Sequence, residues 1–377
     1  MMQWEVGSEF EIRDSSLAHP EECDLISAQA WRLPLGECRL VQNGRAALLT
    51  ALRDACCGVK LKEAWLPSYL CASMVQPFRQ SGLEVHYYPV DGNLAPVDGS
   101  WGRAVGHGSV VLYVNYFGFP VSATAKGFAQ QQYDRGVVTI LDMTHSLFNA
   151  APDEIPSSNY TVASLRKWTG LPDGGLVWKR GSHFLMPVDT DSTDGGFGRV
   201  RLVAGLMKGL YRDGILPQKD GYSTLFGMAE DIADGCATAV PMSRVSRTMW
   251  GQLDTTATVS ARRANYAVLA SGISGLHSLH LIEEALPAGV CPPGCPVVSS
   301  CRDDLRFFLT SHSVYCPIHW QLPDEVKTGF PVSQSLSATI LTLPCDQRYT
   351  TDDMDRVVTL LTEWDRSRSR YRDEGVV

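Results

Sequence analysis

The sequence predicts an α/β fold in which helices cover both faces of a parallel sheet. From about residue 44 to residue 178, short runs of β-branched and aromatic residues alternate with longer amphipathic segments, as expected of repeated βαβ units. The predicted strands are almost continuously apolar, which is typical of strands covered on both faces. A length of 377 residues favours one large domain accompanied by a smaller one.

The elements of the large domain follow the chain in order. We predict strands at residues 64–66, 85–88, 110–114, 137–141, 160–163 and 176–178. Helices are predicted between them at residues 44–56, 71–80 and 123–135. A Gly- and Asp-rich stretch at residues 189–198 predicts a mobile loop, and helices are expected from there to about residue 251.

The pattern changes from about residue 254, which indicates the smaller domain. A long helix is predicted to begin there, and a Pro- and Gly-rich segment follows at residues 287–296. Thr350 and Asp353 have the spacing of a capping box, so the closing helix is predicted from residue 350 or 351 to about 364. The arginine-rich tail beyond it is expected to be solvated or frayed. We therefore expect an N-terminal segment at 1–39, a large domain at 40–252 and a small domain at 253–377.

The composition disfavours several classes of function. Hydrophobic residues make up 44% and charged residues 20% of the chain, as in an ordinary globular protein. A net charge of -8 does not favour binding to nucleic acid or to an anionic membrane surface. The sequence near the N-terminus lacks the apolar run of a signal peptide, so a cytoplasmic location is expected. The eleven cysteines fit reduced thiols, and Cys291 and Cys295 lack the second ligand pair that a zinc site needs, so no metal is expected.

Two charged side chains follow predicted strands at positions where open α/β sheets bind ligands. Lys167 comes shortly after the strand at 160–163 and precedes the paired glycines Gly174 and Gly175, which allow a ligand to approach the backbone closely. Asp142 ends the apolar strand at 137–141, and His145 lies three residues beyond it. Each has an ordinary structural explanation: a surface lysine, a helix-capping or turn aspartate, and a histidine packed under a loop.

A third group of residues is suited to binding a phosphate. The segment Asn43-Gly44-Arg45-Ala46 opens a predicted helix, whose free N–H groups and positive dipole end favour an anion. Ser164 and Arg166 would add a hydroxyl and a charge to the same site. A glycine before a helix is often only part of a turn. The chain contains neither a P-loop nor a Gly-x-Gly-x-x-Gly fingerprint, which disfavours nucleotide hydrolysis and dinucleotide chemistry.

An amine, a carboxylate and a phosphate site are the groups that an enzyme needs to use pyridoxal 5'-phosphate (PLP). Their order along the chain resembles the DegT/DnrJ family of PLP-dependent sugar aminotransferases, from about residue 40 to residue 361. The segments that carry the resemblance are NGRAAL (43–48), LPSY (66–69), VNYFGFP (114–120), DMTHS (142–146), Lys167 with DGG (173–175), CPIHWQ (316–321) and LTLP (341–344). A match in this order over most of the chain is more specific than any single motif.

The resemblance implies the fold type I architecture of PLP-dependent transferases. This architecture has a mostly parallel central sheet with helices on both faces and a smaller C-terminal α+β domain. It also implies a homodimer whose active sites are shared between two subunits.

The same resemblance assigns roles to individual residues. Lys167 would carry the cofactor and act as the base, Asp142 would meet the pyridine nitrogen, and His145 would lie against the ring. The residues at the substrate entrance would be His319 and Trp320. The residues expected to bind the cofactor are Gly44, Arg45, Ala46, Tyr69, Cys71, Asn115, Ser164 and Arg166.

The sequence departs from the family pattern at two of these positions. Cys71 stands where family members have an aromatic residue that stacks on the cofactor, and Tyr69 is an alternative for that role. Asn115 replaces the histidine of the family's Val-His-Leu-Tyr-Gly segment. The Asn-x-Arg by which family members reach the phosphate from the neighbouring subunit is also absent near residues 239–243, where Arg244 or Arg247 is an alternative. Together these departures suggest a divergent branch.

The resemblance implies transfer of an amino group from an amino acid, with glutamate as the expected donor, to a keto-sugar linked to a nucleotide. Two alternatives remain at the level of the sequence. One is a PLP enzyme of the same fold that acts on another substrate, as a dehydratase or an amino-acid-modifying enzyme. The other is a non-catalytic relative that binds PLP or a sugar.

Overall fold

A computed structural model of the chain describes residues 4–13, 35–97, 99–149, 157–187, 196–235 and 239–373. Side chains are described through residue 368. Part of the loop predicted at 189–198 therefore lies outside the described residues. Within the described ranges, no helix combines the length and the apolar character needed to cross a membrane.

A seven-stranded sheet forms the centre of the large part of the molecule. In spatial order its strands are β2 (Gly36–Val41), β8 (Gly175–Arg180), β7 (Tyr160–Ser164), β6 (Val138–Asp142), β5 (Ser109–Val114), β3 (Glu63–Pro67) and β4 (Glu84–Tyr88). Strand β8 runs antiparallel to both of its neighbours, while β4, β3, β5, β6 and β7 pair in parallel. The predicted α/β fold with a mostly parallel sheet is thus confirmed.

Helices cover both faces of this sheet, as the apolar strands predicted. Their bounds are α1 (Gly44–Gly58), α2 (Ala72–Gln80), α3 (Ser100–Ala104) and α4 (Ala123–Asp134). On β5, Val110 and Leu112 pack in the same cluster as buried side chains of α1 and α2. The alternate residues Val111 and Tyr113 pack instead with Trp101 of α3 and Ala129 of α4. This alternation follows from the two-residue period of a strand.

Helix α1 begins where the sequence predicted, for a local physical reason. The Asn43 side chain accepts a hydrogen bond from the Ala46 N–H at 3.0 Å, which caps the first turn. The helix then buries an apolar stripe that includes Leu48 and Leu52. Three further helices follow the sheet: α5 (Phe197–Arg212), α6 (Asp220–Gly235) and α7 (Arg244–Gly251).

A second apolar core lies in the C-terminal part of the chain. Its helices are α8 (Thr255–Ile273), α9 (Arg302–Ser311), α10 (Pro331–Thr339) and α11 (Thr351–Asp373). Its strands are β9 (His280–Leu281), β10 (Cys295–Val298), β11 (Val314–Tyr315) and β12 (Ile340–Leu343), and β12, β10 and β9 form an antiparallel sheet. The short N-terminal strand β1 (Val6–Gly7) pairs in parallel with β11, so residues at the start of the chain pack into this core. The domain boundaries proposed above stay a prediction.

The structure differs from the sequence prediction in two segments of the chain. The segment 36–41 was not predicted as a strand, because GECRLV is polar, yet it pairs as edge strand β2 along β8. The tail after Trp364 was expected to be solvated or frayed; it is helical, because α11 continues to Asp373, and Arg366 on it is exposed to solvent. Arg368 stabilises the added turns, because its guanidinium lies 5.6 Å from the Trp364 ring centroid and 3.5 Å from Asp304. The predicted cap is present, with the Thr350 N–H donating to Asp353 at 3.0 Å.

Candidate active site

A cleft opens over the carboxyl ends of neighbouring strands of the large sheet. Asn115 follows β5, Asp142 ends β6, and Ser164 ends β7. Because these strands are parallel neighbours, their carboxyl ends meet at one edge, where open α/β sheets bind ligands. The cleft has a volume of about 320 Å³, and Lys167 and Asp142 both line it.

Lys167 is presented by a short 3-10 turn, Leu165–Lys167, that leaves β7. Its side chain is accessible to solvent from the cleft although protein surrounds it. The pKa of Lys167 is lowered, first because the surrounding protein removes hydration from the ammonium group and then because Arg166 adds a like charge. A lysine with a lowered pKa is more readily deprotonated, which favours nucleophilic attack on a carbonyl carbon.

Asp142 presents a carboxylate on another wall of the same cleft. The Thr144 N–H donates to its Oδ1 at 2.8 Å. Burial raises the pKa of Asp142, and the hydrogen bonds from Thr144 oppose that shift only in part. A carboxylate that has lost hydration in this way is stabilised by an added cation, such as a protonated ring nitrogen.

His145 lies beside these groups in an aromatic wall. The Phe117 N–H donates to His145 Nδ1 at 3.2 Å, so the neutral ring carries its proton on Nε2. Burial, followed by the charge of Lys167, lowers the pKa of His145 to about 3. The ring stacks on Trp320 at a centroid distance of 5.3 Å and meets His319 edge-on at 5.1 Å. His319 in turn contacts Thr342 Oγ1 through its Nδ1 at 2.8 Å.

The N-terminus of α1 forms the end of the cleft opposite this aromatic wall. Gly44, Arg45 and Ser164 all line the cleft. A Cβ atom built on Gly44 would lie 3.4 Å from the Ser164 Cβ, so the glycine allows the helix to open directly against the serine. Backbone N–H groups, a hydroxyl and the positive end of the helix dipole therefore converge, as a phosphate requires.

The residues present fit PLP by their chemistry. The cleft offers the Lys167 amine, the half-buried Asp142 carboxylate and an anion-binding helix end, next to aromatic rings. A further polar atom is poised for a ligand, because Asn115 Oδ1 is buried and has no hydrogen-bond partner within the described part of the chain.

No family model matches the sequence, and no curated protein matches it. Solved structures do match the fold. A DegT DnrJ EryC1 StrS aminotransferase from Brucella abortus is 15% identical with a TM-score of 0.61, covering 90% of this chain and 88% of its own. DesI, determined in the presence of its TDP-sugar product, is 17% identical with a TM-score of 0.63, covering 97% and 89%. Spr1654 from Streptococcus pneumoniae, in its PMP form, is 13% identical with a TM-score of 0.63, covering 94% and 92%.

The chain has the fold of the DegT/DnrJ/EryC1/StrS aminotransferases. The predicted fold type I architecture is therefore confirmed, and the low identities agree with a divergent chain. Of the site residues predicted from the sequence, eleven line the cleft: Gly44, Arg45, Cys71, Asn115, Asp142, His145, Ser164, Arg166, Lys167, His319 and Trp320.

Two predicted cofactor-binding residues, Ala46 and Tyr69, do not line this cleft of the aminotransferase fold. Ala46 is buried in α1, and its N–H is already used by the Asn43 cap. Tyr69 is fully buried behind the wall and donates its hydroxyl hydrogen to the His319 carbonyl. The ring of Tyr69 meets Trp320 edge-on at 5.5 Å, so Tyr69 supports the aromatic wall from behind. Trp320, which lines the cleft together with Cys71, offers an aromatic ring to a ligand there.

A cluster of arginines and carboxylates next to Lys167 was not predicted. Arg166 Nη2 lies 3.1 Å from Glu230 Oε1, Arg201 Nη1 lies 3.2 Å from the same oxygen, and Arg45 Nη1 lies 3.4 Å from Glu230 Oε2. Burial alone would raise the pKa of Glu230, but Arg166, Arg201 and Arg45 together lower it. Arg201 also pairs with Glu9 at 2.7 Å.

These partners were missed because their contacts depend on tertiary packing. Glu230 lies on α6, Arg201 on α5 and Glu9 in the N-terminal segment, far from Lys167 in sequence. The one available signal was Arg166 itself, since a charged side chain at the end of a buried strand requires a counter-charge.

Proposed function

We propose that this chain is a PLP-dependent aminotransferase. It transfers an amino group from an amino acid, with glutamate as the expected donor, to a keto-sugar linked to a nucleotide. The observation that carries the proposal is the presence of Lys167 and Asp142 in one cleft at the carboxyl edge of the sheet. We also propose that it acts in the cytoplasm as a homodimer.

Lys167 and Asp142 have complementary tasks in this proposal. PLP, when bound, supplies an electron sink for the carbon from which a proton is removed. Asp142 keeps the ring nitrogen protonated, because an adjacent carboxylate stabilises the added positive charge. The Lys167 amine would hold the cofactor through its carbonyl carbon and, once displaced by the donor, would act as the base that accepts the proton from the donor's α-carbon. Its lowered pKa makes the neutral amine available for both tasks.

The other cleft residues orient the reactants. Gly44 and Ser164 would hold the phosphate at the helix end, and Arg166, which lines the same cleft, would add positive charge. The rings of His145 and Trp320, which stack on each other, line the cleft and offer an aromatic face to a planar group. Because burial lowers the pKa of His145 to about 3, its ring stays neutral and adds no charge next to the lysine.

The substrate class rests on the nature of the structural neighbours. DesI was determined with its TDP-sugar product, and Spr1654 was determined in its PMP form. PMP is the aminated form of the cofactor, which an aminotransferase must pass through in each cycle.

Borohydride reduction followed by mass analysis tests the cofactor and its lysine. The purified protein should absorb visible light, and reduction should fix the mass of the cofactor on the peptide that contains Lys167. Lys167→Ala should lose the fixed mass, whereas Lys60→Ala, an exposed lysine outside the cleft, should retain it. A fixed mass on another peptide would contradict the assignment.

A screen of amino donors then tests transamination. Glutamate should convert the absorbance of the bound PLP to that of the aminated form, and a keto-sugar nucleotide should reverse the change. Fixed cofactor without a spectral change for any amino acid would support a non-catalytic PLP-binding protein instead. A spectral change without amino transfer to any keto-sugar would point to a different substrate for the same fold.

A further inference from the structure

A second, more open cleft adjoins the one that contains Lys167. It has a volume of about 930 Å³ and is lined by side chains from α2, from the end of α6 and from the segment that carries Trp320. The two clefts share five lining residues: Arg45, Cys71, Ser73, Ile318 and Trp320. A molecule that fills both would therefore be continuous from the lysine to the open surface.

We propose that this second cleft, which we call the arginine cleft, binds the nucleoside diphosphate of the amino acceptor. The proposal rests on the function proposed above, because it places the part of the acceptor that does not react. The sugar carbon would then face Lys167 while the diphosphate lies outside, next to the shared wall.

The charges of the arginine cleft match a diphosphate. Arg45, Arg79 and Arg306 line it, against one lining carboxylate, Asp234. Arg45 Nη2 is engaged by Asp234 at 2.7 Å, so Arg79 and Arg306 are the better placed to meet an added anion. The excess of positive charge stands out in a chain whose net charge is -8. A polyanion that approaches this cleft is therefore attracted to it.

The two outer arginines can exchange their present partners for a ligand. The Arg79 side chain is 50% exposed and pairs with Glu325, which is 44% exposed and does not line the cleft. An ion pair as exposed as this contributes little free energy, so a diphosphate can compete for Arg79. Arg306 is exposed and is anchored by one bond, from its Nε–H to the Cys316 carbonyl at 3.2 Å.

The beginning of α2 adds a second favourable feature. Residues Ala72 and Ser73, in the first turn of this nine-residue helix, line the arginine cleft. Cys71 is the N-cap residue, and its side chain makes no capping hydrogen bond. The first-turn N–H groups and the helix dipole therefore favour an anion at the same place as the arginines.

The same cleft has groups suited to a nucleobase. The amides of Gln80 and Gln321 line it and offer both donors and acceptors to a base edge. A nucleoside diphosphate therefore fits the arginine cleft better than inorganic pyrophosphate alone.

Calorimetric titration of the full-length protein with bound cofactor tests this site. The probes are thymidine diphosphate, pyrophosphate and thymidine. We expect thymidine diphosphate to bind more tightly than either part, and its affinity to fall as salt is raised. Arg79→Gln and Arg306→Gln should each weaken it roughly five- to tenfold, as expected for loss of an exposed charge-assisted bond to phosphate.

Two matched variants separate this effect from misfolding and from general charge. Glu325→Gln releases Arg79 from its partner, so it should tighten binding of thymidine diphosphate. Arg103→Gln removes an exposed arginine that lines neither cleft, and binding should not change. Unchanged affinity in both Arg79→Gln and Arg306→Gln, or equal weakening in Arg103→Gln, would overturn the proposal.

The wild-type protein separates failure of this proposal from failure of the proposed function. A normal spectral response to an amino donor, with no binding of thymidine diphosphate, would overturn the arginine cleft and leave the aminotransferase proposal standing. Binding of thymidine diphosphate that depends on Arg79 and Arg306, without any response to a donor, would support the cleft and contradict the aminotransferase.

Discussion

Replacing Asp142 with asparagine should have opposite effects on the protein without cofactor and on the protein with cofactor. Without the cofactor, the half-buried Asp142 carboxylate has lost part of its hydration, and the hydrogen bonds from Thr144 compensate only part of that loss. Asparagine keeps the size and an acceptor oxygen but removes the charge. We therefore expect Asp142→Asn to stabilise the cofactor-free protein by about 1 kcal/mol at pH 7.5, because it removes part of a desolvation penalty.

The sign of the pH dependence follows from the direction of the pKa shift. The pKa of Asp142 is raised in the folded state, so the protonated carboxyl favours folding. This contribution is fully present below the unfolded pKa of about 4 and is lost as the pH rises through the folded pKa. The advantage of Asp142→Asn should therefore be largest at neutral pH and should disappear in acid.

Binding of the cofactor should reverse the order of stability. A carboxylate paired with a protonated ring nitrogen forms a charge-assisted hydrogen bond of roughly 1.5–3 kcal/mol. Its loss should weaken PLP binding about 10- to 100-fold, so that at saturating cofactor the wild type becomes the more stable protein.

Thermal unfolding and absorbance titration measure both effects. With an unfolding entropy of about 2 cal/mol/K per residue over 377 residues, 1 kcal/mol corresponds to about 1 °C in Tm, so paired scans are needed. The reasoning fails if Asp142→Asn binds PLP as tightly as the wild type. It fails equally if the variant without cofactor is less stable than the wild type by the same amount at pH 7.5 and pH 4.

Three further variants test other parts of the site. Tyr69→Phe should lower the free energy of unfolding by about 1–2 kcal/mol in denaturant titrations, by releasing the His319 carbonyl, while the visible absorbance of bound cofactor stays unchanged. His145→Asn can still accept a hydrogen bond from the Phe117 N–H. Because the folded protein keeps His145 neutral, the wild type should lose stability as the pH falls from about 6.5 to 3, and the variant should lose less over the same range. Glu230→Gln should lower the free energy of unfolding at pH 7 only modestly, since the Glu230 side chain is 36% exposed. The difference from the wild type should shrink below about pH 4, and urea titrations at pH 7 and below pH 4 would measure it.

Local patterns were sufficient to predict the strands of the large sheet and the residues at their ends. Val110 and Leu112 belong to a run that is apolar on both faces, and such runs indicate buried parallel strands wherever they occur. Once the strands are parallel, their carboxyl ends must share an edge. Asp142 and Ser164 are therefore brought together by topology alone, and the sequence order of the motifs carries this information.

Contacts between distant helices could not be predicted in this way. Glu230 is an ordinary acidic residue on an amphipathic helix, and nothing in its local sequence marks the three arginines that it contacts. Tyr69 follows a strand as a cofactor-stacking residue would, yet its ring points into the core and its hydroxyl supports the segment of Trp320. The direction of a side chain after a turn depends on backbone geometry, which a motif does not specify.

The charged residues of the N-terminal segment are linked by ion pairs to the candidate active site, although the segment is far from Lys167 in sequence. Glu9 pairs with Arg201, which pairs with Glu230, which pairs with Arg166 next to the lysine. Arg201 is only 4% exposed, so without Glu9 part of its charge would be buried uncompensated and would draw Glu230 away from Arg166. Burial, followed by the charge of Arg166, lowers the pKa of Lys167, and Glu9 and Glu230 oppose that shift, so these ion pairs contribute to how readily the lysine loses its proton. The reactivity of Lys167 is thus coupled to the packing of residues 4–13 against α5, and a change in that packing should appear as a shift in the pH at which the lysine reacts.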